Sequence, residues 1–255
     1  MELRLQPNKV RNRLLGALSV DELQVVVQQM QAIDLPRGFN LSHANVEPAF
    51  CYFLESGIGS IVAKSPDGNQ AEVGLFGFDG MTPTTLVLDS GPPSHSIFMQ
   101  VPGDGYRITT ERLAQIIGEL PSLRRILLRY ALTLSLQTAG TALSNAVHTV
   151  DEGLARWILM CDDRTDGNSI ALTHEFLAIM LAVRRASVTT ALHVLEGNRL
   201  IEARRGVIMV RDRDALEEFT GDAYGYPEAE YRRLIGPFQG TCADDRHGLH
   251  LRTTY

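Results

Sequence analysis

No run of about 18 apolar residues occurs anywhere in the 255 residues, so no membrane-spanning helix is expected. The first residues, MELRLQPNKVRNRLLGAL, hold scattered charges and no apolar stretch that ends at a small-residue cleavage site, so they do not read as a secretory signal. Cysteine is scarce. Cys51, Cys161 and Cys242 lie far apart, without CxxC or CxxH spacing, which argues against a disulfide framework and against a zinc site. The expectation is a cytoplasmic protein with reduced thiols. Catalytic signatures are missing too: there is no G-x-x-x-x-G-K-[ST] loop, no H-E-x-x-H and no G-x-S-x-G. The glycines at 74, 77 and 80 punctuate a strand-rich region and do not form a strand-to-helix dinucleotide fingerprint. No enzyme activity and no cofactor are expected. Excess positive charge is also lacking. The net charge of −6 by itself counts against a partner rich in phosphate.

What remains is a chain able to build a core, with 44% hydrophobic and 21% charged residues. Residues 7 to 34 read as helical. Leu14, Leu15 and Leu18 share a face, and Ser19 with Glu22 has the form of a capping box. A helix from about 20 to 32 would bury Leu23, Val26, Val27 and Met30. From 36 to 108 that period is lost. Segments rich in β-branched and aromatic residues (50–54, 57–64, 71–76, 96–101 and 105–108) alternate with turn clusters, the pattern of a β-roll, barrel or sandwich.

Thr110 reads as the N-cap of a helix through Gly118, and Pro121 suits the first turn of a second one. The second runs from about 121 to 147, unusually long for a globular helix. Leu123 with Tyr130, and Leu127 with Leu134, repeat at seven residues, which suggests a dimerisation helix. A helix over 151–161 follows, then a loop over 164–169. The polar segment after Gly236 carries no pattern and is expected to be loosely held.

Residues 172 to 211 carry the clearest signal. Two helices, 173–181 and 184–196, are split by Ala182-Val183, closed at Gly197, and followed by short strands over 200–203 and 207–210. Val188, Ala191, Leu192 and Leu195 recur at helical spacing and must face a core. That turns Arg185, Ala186, Thr189, Thr190 and His193 outward. Arginine can grip guanine through two hydrogen bonds, and hydroxyls can bond phosphates or bases. Within 182–213, seven arginines face three acids, so this segment is +4 inside an acidic chain. A local basic patch of that kind steers a protein to DNA.

With Val183-Arg184-Arg185-Ala186-Ser187-Val188-Thr189-Thr190-Ala191-Leu192 followed by Leu195-Glu196-Gly197-Asn198-Arg199-Leu200-Ile201, the chain resembles the Crp/Fnr family of bacterial transcription regulators over about residues 12 to 215. The resemblance implies an α+β fold: an N-terminal double-stranded β-helix (a jelly-roll-like β-roll), a long dimerisation helix and a C-terminal winged helix-turn-helix. It implies a sensor domain over 1–109, a linker and dimerisation helix over 110–148, a DNA-binding domain over 149–215 and an extension over 216–255. It also implies double-stranded DNA as partner, read as a palindrome by a homodimer, with RNA polymerase as a further contact. Arg185 falls at the main guanine-reading position, and Ala186 and Thr190 where other members carry base-reading side chains. Thr173, His174, Ser187 and Thr189 fall at or near backbone-contacting positions; Arg184 belongs to the same DNA-binding set, and the hairpin's Arg205 can place a cation against the flanking backbone.

The sensor departs from the family's cyclic-nucleotide pattern. Where that pattern has Gly-Glu and Arg-Ser or Arg-Thr pairs, this chain reads Gly80-Met81 and His95-Ser96. A thioether cannot accept a ribose hydroxyl's hydrogen bond as a carboxylate does, and an imidazole lacks the two-pronged grip of a guanidinium. An effector bound at Gly80, Met81, His95 and Ser96 is therefore expected to be something other than cAMP, or none. No cysteine precedes Cys51, which excludes the N-terminal cluster of the iron–sulfur members. The lone His43, His95 and His148 do not make a haem site. A second reading, from the acidic net charge and the intact β-roll, is a small-molecule-binding regulatory module whose C-terminal domain docks a protein.

Overall fold

The structure is a computed structural model that describes residues 10–167, 169–204 and 206–238. The chain enters through two short helices, α1 (Arg13–Gly16) and α2 (Val20–Val27). Asn12 caps the first, its carboxamide oxygen accepting from the Leu14 and Leu15 amides. The Ser19/Glu22 capping box forms at the second. Residues 7–9, included in the helical expectation, lie outside the described residues.

Eight strands follow: β1 (Gln31–Leu35), β2 (Asn40–Ser42), β3 (Phe50–Leu54), β4 (Ile58–Lys64), β5 (Gln70–Phe76), β6 (Met81–Thr82), β7 (Ser96–Val101) and β8 (Gly103–Thr109). They form two antiparallel four-stranded sheets, ordered β1-β8-β3-β6 and β2-β7-β4-β5. Phe53, Phe76, Met99 and Ile108 fill the space inside this roll. The helix expected over 20–32 is corrected by this topology. It stops at Val27, and Gln31–Leu35 becomes a strand because β8 supplies its hydrogen bonds, with Ile33 opposite Gly105. Gly105 is needed there, since a Cβ would fall 2.4 Å from the Phe53 carbonyl oxygen.

Helix α3 (Thr110–Glu119) is capped by the Thr109 hydroxyl, one residue before the cap expected at Thr110, whose own hydroxyl donates to the Pro48 carbonyl. Helix α4 (Pro121–Val147) has proline in its first turn, as its sequence predicts. The heptad assignment on α4 needs correction. Leu123, Leu127 and Tyr130 are buried in the chain's own core. A different stripe is exposed: positions 125, 128, 132, 135, 139, 142 and 146 alternate in steps of three and four, the spacing of a coiled-coil seam. Leu128 and Leu132 are 39% and 50% exposed on it.

The remainder is α5 (Val150–Asp162), β9 (Ser169–Ala171), α6 (His174–Met180), α7 (Arg185–Gly197), β10 (Ile201–Arg204), β11 (Val207–Val210), α8 (Arg213–Thr220) and α9 (Tyr226–Leu234). A second core joins α5, α6, α7 and the small sheet, with Trp157, Leu177, Leu192 and Ile208 inside it. Helix α9 lies along α4, where a Cβ on Gly140 would meet the Pro227 ring at 3.2 Å. The segment after Gly236 is not wholly loose: Phe238 is buried and stacks on Tyr231 with ring centroids 4.5 Å apart. Residues 239–255 lie outside the described residues. No single described helix is long and apolar enough to cross a membrane.

Candidate nucleic-acid interface

Thr173 starts α6, its hydroxyl accepting from the Phe176 amide at 3.3 Å. Glu175 sits in the first turn, where a negative charge suits the helix end. Leu177 and Met180 are buried and Phe176 is half-buried. The chain turns through Ala182, which takes a left-handed conformation at φ +51°, and bends by 100° between α6 and α7. That geometry is a helix-turn-helix.

Val188, Ala191, Leu192 and Leu195 are all buried, as their spacing predicts, and this fixes the outward face of α7. Arg184, Arg185, Ala186, Thr190 and His193 are exposed, while Ser187 and Thr189 are half-buried. The hydroxyls of Thr189 and Thr190 bond back to the carbonyls of Arg185 and Ala186, each at 3.2 Å. Thr189 also lies 3.3 Å from His174 Nδ1, so the start of α6 and the face of α7 meet at this pair. Arg185 and Glu175 approach to 3.7 Å, with both side chains mostly exposed. Such a surface contact leaves the guanidinium available to a stronger partner.

The end of α7 differs from expectation. Gly197 stays helical, and the left-handed residue is Arg199 at φ +60°. The Arg199 amide donates to the Glu196 carbonyl and the Leu200 amide to the Leu195 carbonyl, at 2.9 and 3.0 Å. These bonds form a Schellman closure, with Leu195 and Leu200 both buried beneath it. Glu196 then accepts from the Ala203 amide at 2.9 Å and ties α7 to the wing. The wing gains a third strand, β9, which begins at the last residue of the expected loop, and the order is β10-β11-β9. Arg205 lies outside the described residues.

The charge of the segment is partly spent. Glu202 pairs with both Arg204 and Arg211. Arg213 binds Asp162 at 2.6 Å, Asp163 at 2.7 Å and Glu217 at 2.9 Å. Sequence counting cannot find these partners, because Asp162 and Asp163 lie 51 and 50 residues away.

Of the sensor positions, Gly80 and Met81 are buried and His95 and Ser96 half-buried. Met81 lies in β6 opposite Phe53, and Ser96 lies in β7 opposite Val62, in the other sheet. Gly80 presses on α4, where a Cβ would fall 2.3 Å from the Tyr130 hydroxyl. Its carbonyl accepts from Asn12 Nδ2 at 2.8 Å. Cys51 and Cys161 are buried, and burial pushes the Cys51 thiol up to about 12 and raises that of Cys161 as well. Neither is a reactive thiolate at neutral pH.

Sequence reasoning missed the cluster that joins the roll to the C-terminal half. Tyr231 of α9 donates to the Asp79 carbonyl at 2.6 Å, and Arg164 lies over Phe238 at 4.8 Å. Arg13 donates to the Phe238 carbonyl at 2.9 Å.

Residues 153–219 match the model of the Crp-like helix-turn-helix domain. Over 203 residues the chain is 23% identical to a CRP-like cAMP-activated global transcriptional regulator of Mycobacterium tuberculosis, an alignment covering 76% of this chain and 90% of that protein. Its fold is similar to that of FixK2 from Bradyrhizobium japonicum, with a TM-score of 0.66, 16% identity, and coverage of 76% of this chain and 99% of that one. It is similar as well to a transcriptional regulator of the Crp/Fnr family from Eubacterium rectale, with a TM-score of 0.62, 18% identity, and coverage of 81% and 97%.

Proposed function

We propose that this chain is a transcription regulator of the Crp/Fnr type, with a helix-turn-helix DNA-binding domain, and that it reads a palindromic promoter site as a homodimer. The observation that carries the reading is the outward face of α7, held in place by four buried residues of one helical stripe. Arg185 reads guanine through O6 and N7, Ala186 offers a methyl contact, and Thr190 reaches a neighbouring base. Thr173, His174, Arg184, Ser187 and Thr189 hold the phosphate backbone. Arg205 belongs to the same proposal from its sequence position at the wing's tip.

The homodimer rests on the exposed stripe of α4, which leaves two leucines in water unless a second copy covers them. Two copies would set half-sites about 34 Å apart. RNA polymerase is proposed as the partner on the promoter, and the cytoplasm as the place of action. The type is that of regulators, not of enzymes. Met81 is spent in the core, so the effector is proposed to differ from cAMP.

In-vitro selection of bound DNA from a random pool tests this reading. A two-fold symmetric motif is expected, and Arg185→Ala should relax one base position per half-site at a cost of about 1–3 kcal/mol. Selection that yields no symmetric motif would overturn the proposal.

A further inference from the structure

Between the roll and the reading head lies a cleft of about 100 Å³, whose wall includes Arg37, Phe98, Met99, Gln100, Leu172 and Phe176. Strand β7 forms one side and the start of α6 the other. Phe98 and Phe176 meet edge to face across it, with centroids 6.3 Å apart. Three features of this cleft point to an occupant. The first is Gln100, 3% exposed, whose Oε1 lies 2.6 Å from the Ser60 hydroxyl while its Nε2 has no partner among the described residues. Flipping the amide does not help, since the hydroxyl can serve either atom but only one at a time. A buried amide group without a partner costs free energy that a ligand would recover. The second is Arg37, exposed beside the cleft, with one hydrogen bond of 3.3 Å to the Ala171 carbonyl and no ion pair among the described residues. The third is the apolar lining, in which Arg37 is the one charged residue.

We propose that this cleft is a binding site for a short-chain aliphatic carboxylate. The hydrocarbon fits against Phe98, Leu172 and Phe176. The carboxylate takes the Arg37 guanidinium and one hydrogen bond from Gln100. Size sets the chain length: a cavity of about 150 Å³ holds benzene, so this smaller one suits an acid of roughly four or five carbons. The lack of any lining carboxylate selects an anion over a cation. Because β7 belongs to the roll and α6 carries the helix-turn-helix, the occupant would bridge the two. That consequence for DNA rests on the proposed function, whereas binding itself does not.

The test is calorimetry on the full chain without DNA, using sodium butyrate and sodium isovalerate as probes and butyramide and sodium acetate as controls. Saturable binding of the two acids is expected, at least tenfold tighter than either control. Arg37→Met, a change at an exposed side chain, should weaken it at least tenfold, and Gln100→Leu should weaken it as well. The site is refuted if neither acid saturates, or if Arg37→Met binds both as well as the original chain. A protein that binds the acids and selects no DNA motif would leave this site standing and remove the regulatory reading, so the two failures are distinct.

Discussion

Asp79 and Arg164 form an ion pair of 2.8 Å between side chains that are each 3% exposed. Asp79 closes the tight turn before β6, where its Oδ1 accepts from the Gly77 amide at 2.7 Å. Arg164 leaves α5 and also donates to the Met160 carbonyl at 2.7 Å. The pair therefore ties the turn of the roll to the first helix of the reading head. Burial opposes the charge on Arg164, but Asp79, Asp163 and Glu228 outweigh it and raise its pKa. Removing one partner strands a buried charge. Arg164→Met should cost about 3–5 kcal/mol, and the Asp79→Asn/Arg164→Met double variant should cost clearly less than the two single changes added together. Urea denaturation measures both. Additive costs, or a single variant within about 1 kcal/mol of the parent, would show that the pair carries no coupling.

A second tie between the halves responds to pH. Glu72 of β5 is 4% exposed and accepts from the Trp157 indole of α5 at 2.9 Å. Burial pushes its pKa up to about 8, against the pull of the hydrogen bond from Trp157 and of the Arg156 and Arg164 charges. In the unfolded chain the same carboxyl titrates near 4.5. Between those values the folded state holds the proton that the unfolded state has released. Stability from this group is thus fully present below about 4.5, falls as pH rises, and is lost above about 8. Glu72→Gln keeps an acceptor for the indole and removes the charge. It should flatten the decline from pH 5 to 8.5 by a few kcal/mol. Denaturation across that range gives the answer, and parallel curves for parent and variant would contradict it.

Glu202 holds Arg204 and Arg211 of the wing. A half-buried acid that pairs two exposed arginines competes with phosphate for both. Glu202→Gln should tighten DNA binding and steepen its salt dependence, adding roughly 1–2 to the magnitude of the slope of log K against log salt. Fluorescence anisotropy over a salt series reads that slope. An unchanged slope would mean that neither arginine reaches the DNA backbone.

What the sequence reveals depends on how local the cause is. The stripe of Val188, Ala191, Leu192 and Leu195 is legible because one helix period fixes it, and the strands 50–54 and 96–101 follow with unchanged bounds from their own β-rich composition. Strand β1 is hidden, since its Gln31–Leu35 has no alternation of its own and exists only against β8, about 70 residues on. The contact of Tyr231 with Asp79 spans 152 residues and has no local signature at all. Charge counting fails for the same reason: Arg213 belongs to the tally of a basic patch until its distant aspartates are seen. On α4 two heptad stripes coexist in the sequence, and only packing decides which one the chain keeps for itself.

That decision gives the most direct test of the homodimer. Leu123, Leu127 and Tyr130 are committed to the chain's own core, so the seam of the proposed homodimer falls to the stripe that includes Leu128, Leu132, Ala139 and Ala142. Small residues in its C-terminal half would let two helices approach closely there. Leu132 is 50% exposed, so a charge at this position is tolerated by the isolated chain. Across a two-fold axis it faces its own copy, and like charges in a desolvated seam repel. Leu132→Glu should therefore keep its helical circular dichroism yet run at the mass of one 28.1 kDa chain in light scattering, where the parent runs at twice that. Affinity for a full palindrome should fall to that for a half-site, because the second reading head is no longer tethered. A variant that keeps the parent's mass places the seam elsewhere, and a parent that is itself a single chain at micromolar concentration removes the homodimer altogether.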